Sequence, residues 1–243
     1  MNKEPLSKRL VFAAFALWFG LIGCGLFNTT TINDLKTESQ TVDLDSATSA
    51  RVQIEFQVGD LKIENGANSL MDASFRYNMD NLQPQVKYSE NGEQGELVIS
   101  QQALERIPLG GQLINEWSIQ LANDVPIDLY IQTGAGNADL GLGALDLTNL
   151  DIQTGAGVTH VNLDGSWTHD LAVSIMGGVG ELTVTLPAEM GVRVDMETAL
   201  VSVSANGLIK EENGYINKAF GTAPYTLTLT LQAGVGSIVL VSP

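Results

Sequence analysis

Apolar and polar residues alternate along most of this chain from Thr41 onward. Val52, Ile54 and Phe56 alternate with Gln53, Glu55 and Gln57, and Leu61 and Ile63 follow after Gly59. Alternation at period two puts every second side chain on one face, the mark of a half-buried strand. The same pattern predicts strands at Ala73-Phe75-Tyr77, Val86-Tyr88, Leu97-Ile99 and Trp117-Ile119-Leu121. Glu64-Asn65-Gly66, Asn91-Gly92 and Leu109-Gly110-Gly111 supply turns between them. No amphipathic helix is expected; Gln101 to Arg106 has room for one turn.

The second half repeats itself. IQTGAGNADLGL (131–142), IQTGAGVTHVNL (152–163), IMGGVGELTVTL (175–186), METALVSVSANG (196–207) and LQAGVGSIVLVS (231–242) align on Ile131, Ile152, Ile175, Met196 and Leu231. The fourth copy has Ala199-Leu200-Val201 where the others have Gly-x-Gly, and residues 206–224 form an insertion before the last. Short strands repeating roughly every 21 residues predict an all-β fold, a short single-stranded β-solenoid of the parallel β-helix type. Gly134, Gly136, Gly155, Gly157, Gly178, Gly180, Gly234 and Gly236 are its expected corners, since glycine tolerates positive φ and close backbone approach. Ala135, Ala156, Val179 and Val235, inside each Gly-x-Gly, are expected to point into a narrow core. One inward column is expected from Leu129, Ile152, Ile175 or Val173, and Val194. Residues 126–243 are read as the solenoid and 41–125 as an N-terminal β-region capping one end, because open edges invite aggregation. Tyr215 and Phe220 make the insertion either an exposed contact loop or a cap on the C-terminal end.

Ahead of the strands, Lys3, Lys8 and Arg9 precede the apolar run Leu10 to Cys24, which ends in Leu21-Ile22-Gly23-Cys24. This has the order of a secretory signal and resembles the lipobox of bacterial lipoproteins. That resemblance implies cleavage after residue 23, a lipid on Cys24, the only cysteine, and a tether over 24–40. The competing reading is an uncleaved transmembrane anchor, since residues 10–27 carry no charge. Both put residues 28–243 outside the cytoplasm, with the basic residues on the inner side. With one cysteine no disulfide framework is available, so stability must come from core burial and backbone hydrogen bonds.

Taken together, Gly59-Asp60-Leu61-Lys62-Ile63, Trp117-Ser118-Ile119-Gln120-Leu121, Val125-Pro126-Ile127-Asp128-Leu129 and the Gly-Ala-Gly copies at 134–136 and 155–157 resemble the bacterial toast-rack proteins. These are grouped as domains of unknown function, with relatives among LiaF-type cell-wall-active antibiotic response proteins and candidate head-domain adhesins. The resemblance covers roughly residues 45–243. It implies a stacked, largely parallel β-structure outside the membrane and brings no catalytic residues. LiaF-type members carry several membrane helices before the β-domain, whereas this chain has a single apolar segment.

The formal charge of −16 becomes −18 once a cleaved signal removes three bases and one acid. Between Arg106 and Arg193 there are ten acids and no Lys or Arg. This excludes nucleic acid, which binds basic surfaces, and describes a solvated acidic surface. A cationic partner or weakly held divalent ions are the functional alternative.

Other chemistry finds little support. Gly-Ala-Gly is followed by more strand and recurs, whereas a dinucleotide fingerprint opens a helix. His160 and His169 are nine apart; a zinc site would need Asp164 and Asp170 to join them from different strands. Gly165-Ser166-Trp167 does not fit a nucleophile elbow, and the dense repeat of calcium-binding β-rolls is absent. No catalytic, cofactor or metal residue is therefore assigned. The expectation is a membrane-anchored, extracytoplasmic, non-enzymatic binding, adhesion or envelope-stress module whose partner is an envelope protein or wall polymer. The alternative is a β-helix carbohydrate-active enzyme acting on envelope polysaccharide, marked by a carboxylate cluster in a groove. Control of an envelope-stress kinase is a third reading, by resemblance alone.

Overall fold

The computed structural model describes residues 33–102 and 112–243. Cys24, the expected signal and most of the Gln101–Arg106 turn lie outside them. The described chain is all-β apart from one 3₁₀ turn, Asp80–Leu82. Its strands are β1 (Lys36–Val42), β2 (Ser49–Asn65), β3 (Met71–Tyr77), β4 (Gln85–Asn91), β5 (Gln94–Ser100), β6 (Asn115–Leu121), β7 (Ile127–Gly141), β8 (Leu147–Asn162), β9 (Leu171–Thr185), β10 (Gly191–Asn206), β11 (Ile209–Glu211), β12 (Gly214–Ile216) and β13 (Thr226–Val241). They form one sheet in the order β1-β3-β6-β2-β7-β8-β9-β13-β10-β12-β11, with β5 also on β2 and β4 on β5.

Six long strands, β2, β7, β8, β9, β13 and β10, stack in parallel as the slices of the rack. Each has two arms. In β7 the first arm buries Ile127, Leu129 and Ile131, and the second buries Ala138 and Leu140. A straight strand cannot keep an odd and an even set on one side. The chain changes face at the glycine corner, and both arms then line a single apolar core.

The aligned anchors share one column: Ile131 pairs with Ile152, Ile152 with Ile175, Ile175 with Leu231, and Leu231 with Met196. Ile54 of β2 extends it. The inward column expected from Leu129 and Ile152 separates into two, because Leu129 stacks on Leu150 and Val173 while Ile152 belongs with Ile131. Burying each such side chain contributes about 1.5–3 kcal/mol.

Two boundaries differ from the sequence reading, and the stacking order departs from the order along the chain. The expected tether reaches residue 40, but Lys36–Gln40 already belong to β1, an exposed edge strand held through its backbone to β3. The solenoid begins at β2 rather than at residue 126, and the rest of the N-terminal region covers that first slice, β5 on its first arm and β6 on its second. Trp117 of β6 seals this end between Phe56 and Phe75, at ring separations of 5.1 and 5.3 Å. Finally, the last repeat does not end the stack: β13 inserts between β9 and β10. β10 has Ala199-Leu200-Val201 at its corner and no positive φ there, so it cannot reproduce the glycine turn. The end of the stack is the position where no further corner must fit onto it.

The insertion acts as a cap. β12 pairs antiparallel with Arg193–Asp195 on the outer edge of β10, and β11 pairs with β12. Buried Asn217 ties the returning chain down: its Oδ1 accepts from the Val192 N–H at 2.9 Å and its Nδ2 donates to the Met190 carbonyl at 2.7 Å.

Candidate functional site

Four of the eight glycines expected at corners take a positive φ. Gly136, Gly157, Gly180 and Gly236 have φ of 130°, 137°, 146° and 141°, a region other residues rarely adopt. Gly134, Gly155, Gly178 and Gly234 lie two positions earlier, where a Cβ would press on the neighbouring slice's backbone carbonyl. The residue between each pair does not enter the core. Ala135 and Ala156 are exposed, and Val179 and Val235 are 58% and 48% exposed. At the change of face the middle residue takes the outer side, so the corner presents an apolar ridge ending in Leu200.

A second surface is built by the outward side chains of the second arms. Because inward Leu61, Ile63, Ala138 and Leu140 alternate with polar residues, the outer side of β2 carries Asp60 and Lys62, and that of β7 carries Asn137 and Asp139. Register then assembles cross-strand rows. Ser74, Ser118, Lys62, Asp139 and His160 form one, contributed by β3, β6, β2, β7 and β8. Arg76, Glu116, Asp60, Asn137 and Val158 form the next. Together they line an open groove of about 490 Å³.

The groove is internally bonded. Asn137 Nδ2 donates to Asp60 Oδ1 at 2.8 Å, Arg76 pairs with Glu116, and Lys62 Nζ lies 2.9 Å from Glu64 Oε1. The hydrogen bond to Glu64, followed by its negative charge, holds the Lys62 ammonium above its ordinary range, and Asp139 adds to this. Among the eight Lys and Arg of the described residues, two sit in this groove, facing Asp60, Glu116 and Asp139, so both signs of charge are interspersed along it. It offers ammonium and guanidinium donors, hydroxyls and carboxylate acceptors side by side, a set suited to the hydroxyls and amides of a polar polymer. No sequence motif marks it, since its residues come from five strands; the only local signal is polar alternation of the Asp60-Lys62 kind.

The residues considered for metal do not converge. His160 lies on the groove, whereas His169 Nε2 is 2.9 Å from the Leu147 carbonyl in a loop. Asp170 accepts from the Thr226 N–H. Among the described residues no three His, Cys, Asp or Glu side chains are gathered for a metal ion.

A family model described as the N-terminal domain of toast_rack, DUF2154, matches residues 31–185. The chain is similar to the crystal structure of a candidate cell adhesion protein from Clostridium sporogenes, with 31% identity and a TM-score of 0.83 over 86% of this chain and 100% of that one. A candidate adhesin from Bacteroides fragilis matches over 85% of this chain and 97% of its own, at 13% identity and a TM-score of 0.34, too low to support more than that statement. Among curated proteins none matches. On the family model and the Clostridium structure, this chain belongs to the toast-rack family.

Proposed function

We propose that this protein is a non-enzymatic adhesion module of the bacterial envelope, held outside the cytoplasm by a lipid on Cys24, whose groove over the second arms takes an envelope protein or wall polymer. The observation that carries the reading is the likeness to the Clostridium sporogenes candidate cell adhesion protein, which extends along that whole chain. The groove fits it physically: the sheet fixes the backbone beneath a row of donors and acceptors, which lowers the ordering cost of binding to that of the side chains. Cross-linking in intact envelopes followed by capture of the protein tests the partner; recovery of one defined protein or glycan is expected, and repeated recovery of none counts against it. Intact mass of the host-derived protein tests the anchor: a diacylated N-terminus at Cys24, lost with processing in Cys24→Ala, is expected.

A carbohydrate-active enzyme is the second reading, because Asp60, Glu116 and Asp139 line the same groove. Two of the three are engaged, Glu116 by Arg76 and Asp60 by Asn137. Release of reducing ends from wall polysaccharide, abolished by Asp139→Asn, is the result that would install this reading in place of the first.

A further inference from the structure

The two ends of the rack are finished differently. Both arms of β2 carry a further strand, β5 on one and β6 on the other. At the far end β12 covers only Arg193–Asp195 of β10. The second arm of β10, Glu197 to Asn206, pairs with β13 on one side and with no strand of the described residues on the other. Such an edge offers free backbone donors and acceptors to another strand. Its core-facing Val201, Val203 and Ala205 are only half-buried, although Ile238 and Leu240 beside them on β13 are fully buried. Leu200, next to the exposed Val235, is 76% exposed.

Edges that avoid pairing carry lysine, proline or a bulge. From Thr198 to Ile209 there is no charge and no proline, and from Ala219 to Pro243 there is no charge at all. In a chain of net charge −16, copies repel over most of their surface. The Thr198–Ile209 stretch of this edge is free of charge, with Glu197, Asp195, Glu211 and Glu212 set against Arg193 and Lys210 beside it, so repulsion is weakest along this arm. The edge also complements itself over its central residues. Placed antiparallel about Ser202, Val201 meets Val203 of the second copy and Ser202 meets Ser202, so core-facing positions oppose core-facing positions there, while the exposed corner residues Ala199 and Leu200 meet Ala205 and Ser204.

We propose that the second arm of β10 pairs antiparallel with the same arm of a second copy, joining two racks end to end. The proposal rests on the adhesion reading and gives it a partner. The described chain begins at the other end, where β1 lies beyond β3 and β6, and from β2 to β10 the stack takes five strand steps, about 24 Å. Copies paired through β10 carry their N-terminal sides on opposite ends of a continuous sheet. That arrangement links two facing surfaces and not two neighbours on one surface, which makes the contact homophilic and bridging.

The test uses beads bearing the full chain through its N-terminal end, with aggregation read by light scattering and the association of free protein read by sedimentation. The variants are Ser202→Lys, which sets two ammonium groups against each other across the axis, and Ser202→Thr, which keeps the edge neutral. Ser202 is exposed, so folding, checked by circular dichroism, is retained. Wild-type and S202T beads should aggregate and the free proteins dimerise, with both effects lost in S202K. Wild-type beads that capture envelope fragments but never each other overturn the pairing and leave the adhesion reading standing. Beads that do neither overturn both. Self-aggregation unchanged by S202K assigns the contact to another surface and overturns the proposal.

Discussion

The carbonyl oxygen of Gly136 occupies the space that a Cβ on Gly157 would need. The same relation runs from Gly157 to Gly180 and from Gly180 to Gly236, so each corner closes on the backbone of the slice before it. Gly66 is also in the left-handed region, at φ 110°, but nothing lies within 4 Å of its missing Cβ. The two positions therefore separate conformational strain from steric overlap. Gly66→Ala should cost about 1–2 kcal/mol, the strain of a non-glycine residue at positive φ. Gly157→Ala adds an overlap with backbone that cannot swing aside, and should cost over about 3 kcal/mol. Urea unfolding of both variants checks this; equal losses would mean that the corners are not in contact.

Asn217 and Val192 exchange two hydrogen bonds, Asn217 N–H to the Val192 carbonyl at 3.1 Å and Val192 N–H to Asn217 Oδ1 at 2.9 Å. The site is buried, so truncation strands the Val192 N–H and the Met190 carbonyl without water. Asn217→Ala should lose about 2–4 kcal/mol. The loss should appear first in the β11–β12 hairpin, as faster hydrogen exchange around Tyr215 than around Ile152.

Alkaline pH should weaken the N-terminal end. Burial, then a hydrogen bond to Glu38, keeps the Tyr77 phenol protonated far above its ordinary range, and burial raises Tyr88 and Tyr130 in the same direction. A group whose pKa is higher in the folded state contributes its full stability below the unfolded value, about 10 for tyrosine. That contribution is lost as pH rises beyond it, because the unfolded chain releases the proton first. Stability should thus be flat through neutral pH and fall above about pH 10. Tyr77→Phe should make that alkaline slope shallower. Denaturant midpoints at pH 8, 10 and 11, spanning the ordinary tyrosine range, give the comparison.

Alternation and the Gly-x-Gly spacing made the slices legible, because a solenoid repeats one physical problem and solves it with the same residues. Ile131, Ile152, Ile175, Met196 and Leu231 align in the sequence and stack in the fold. β2 escaped the repeat because its corner, Gln57-Val58-Gly59, keeps only the glycine at positive φ. Val179 and Val235 were misplaced by their hydrophobicity; the change of face at the turn decides their direction, and composition carries no trace of it. The groove was invisible for a different reason. Lys62, Ser118 and Asp139 are neighbours through register alone, and register between strands far apart in sequence is set by the whole stack.

Ligand contact in the groove should depend on Lys62 more than on His160. Lys62 sits at the centre of its row, between Ser118 and Asp139, with an ammonium held protonated by Glu64. His160 stands at the margin, one strand further out. Lys62→Ala removes the central donor and leaves Asp139 and Glu64 uncompensated, so binding to isolated envelopes should fall by about tenfold, the value of one charge-assisted hydrogen bond. His160→Ala should fall less than about threefold at neutral pH. Both side chains are exposed, so thermal unfolding should barely move in either variant. Co-sedimentation with envelopes separates the cases. A Lys62 variant that binds as tightly as the unaltered protein would move the contact surface off the second arms, to the apolar ridge at the corner.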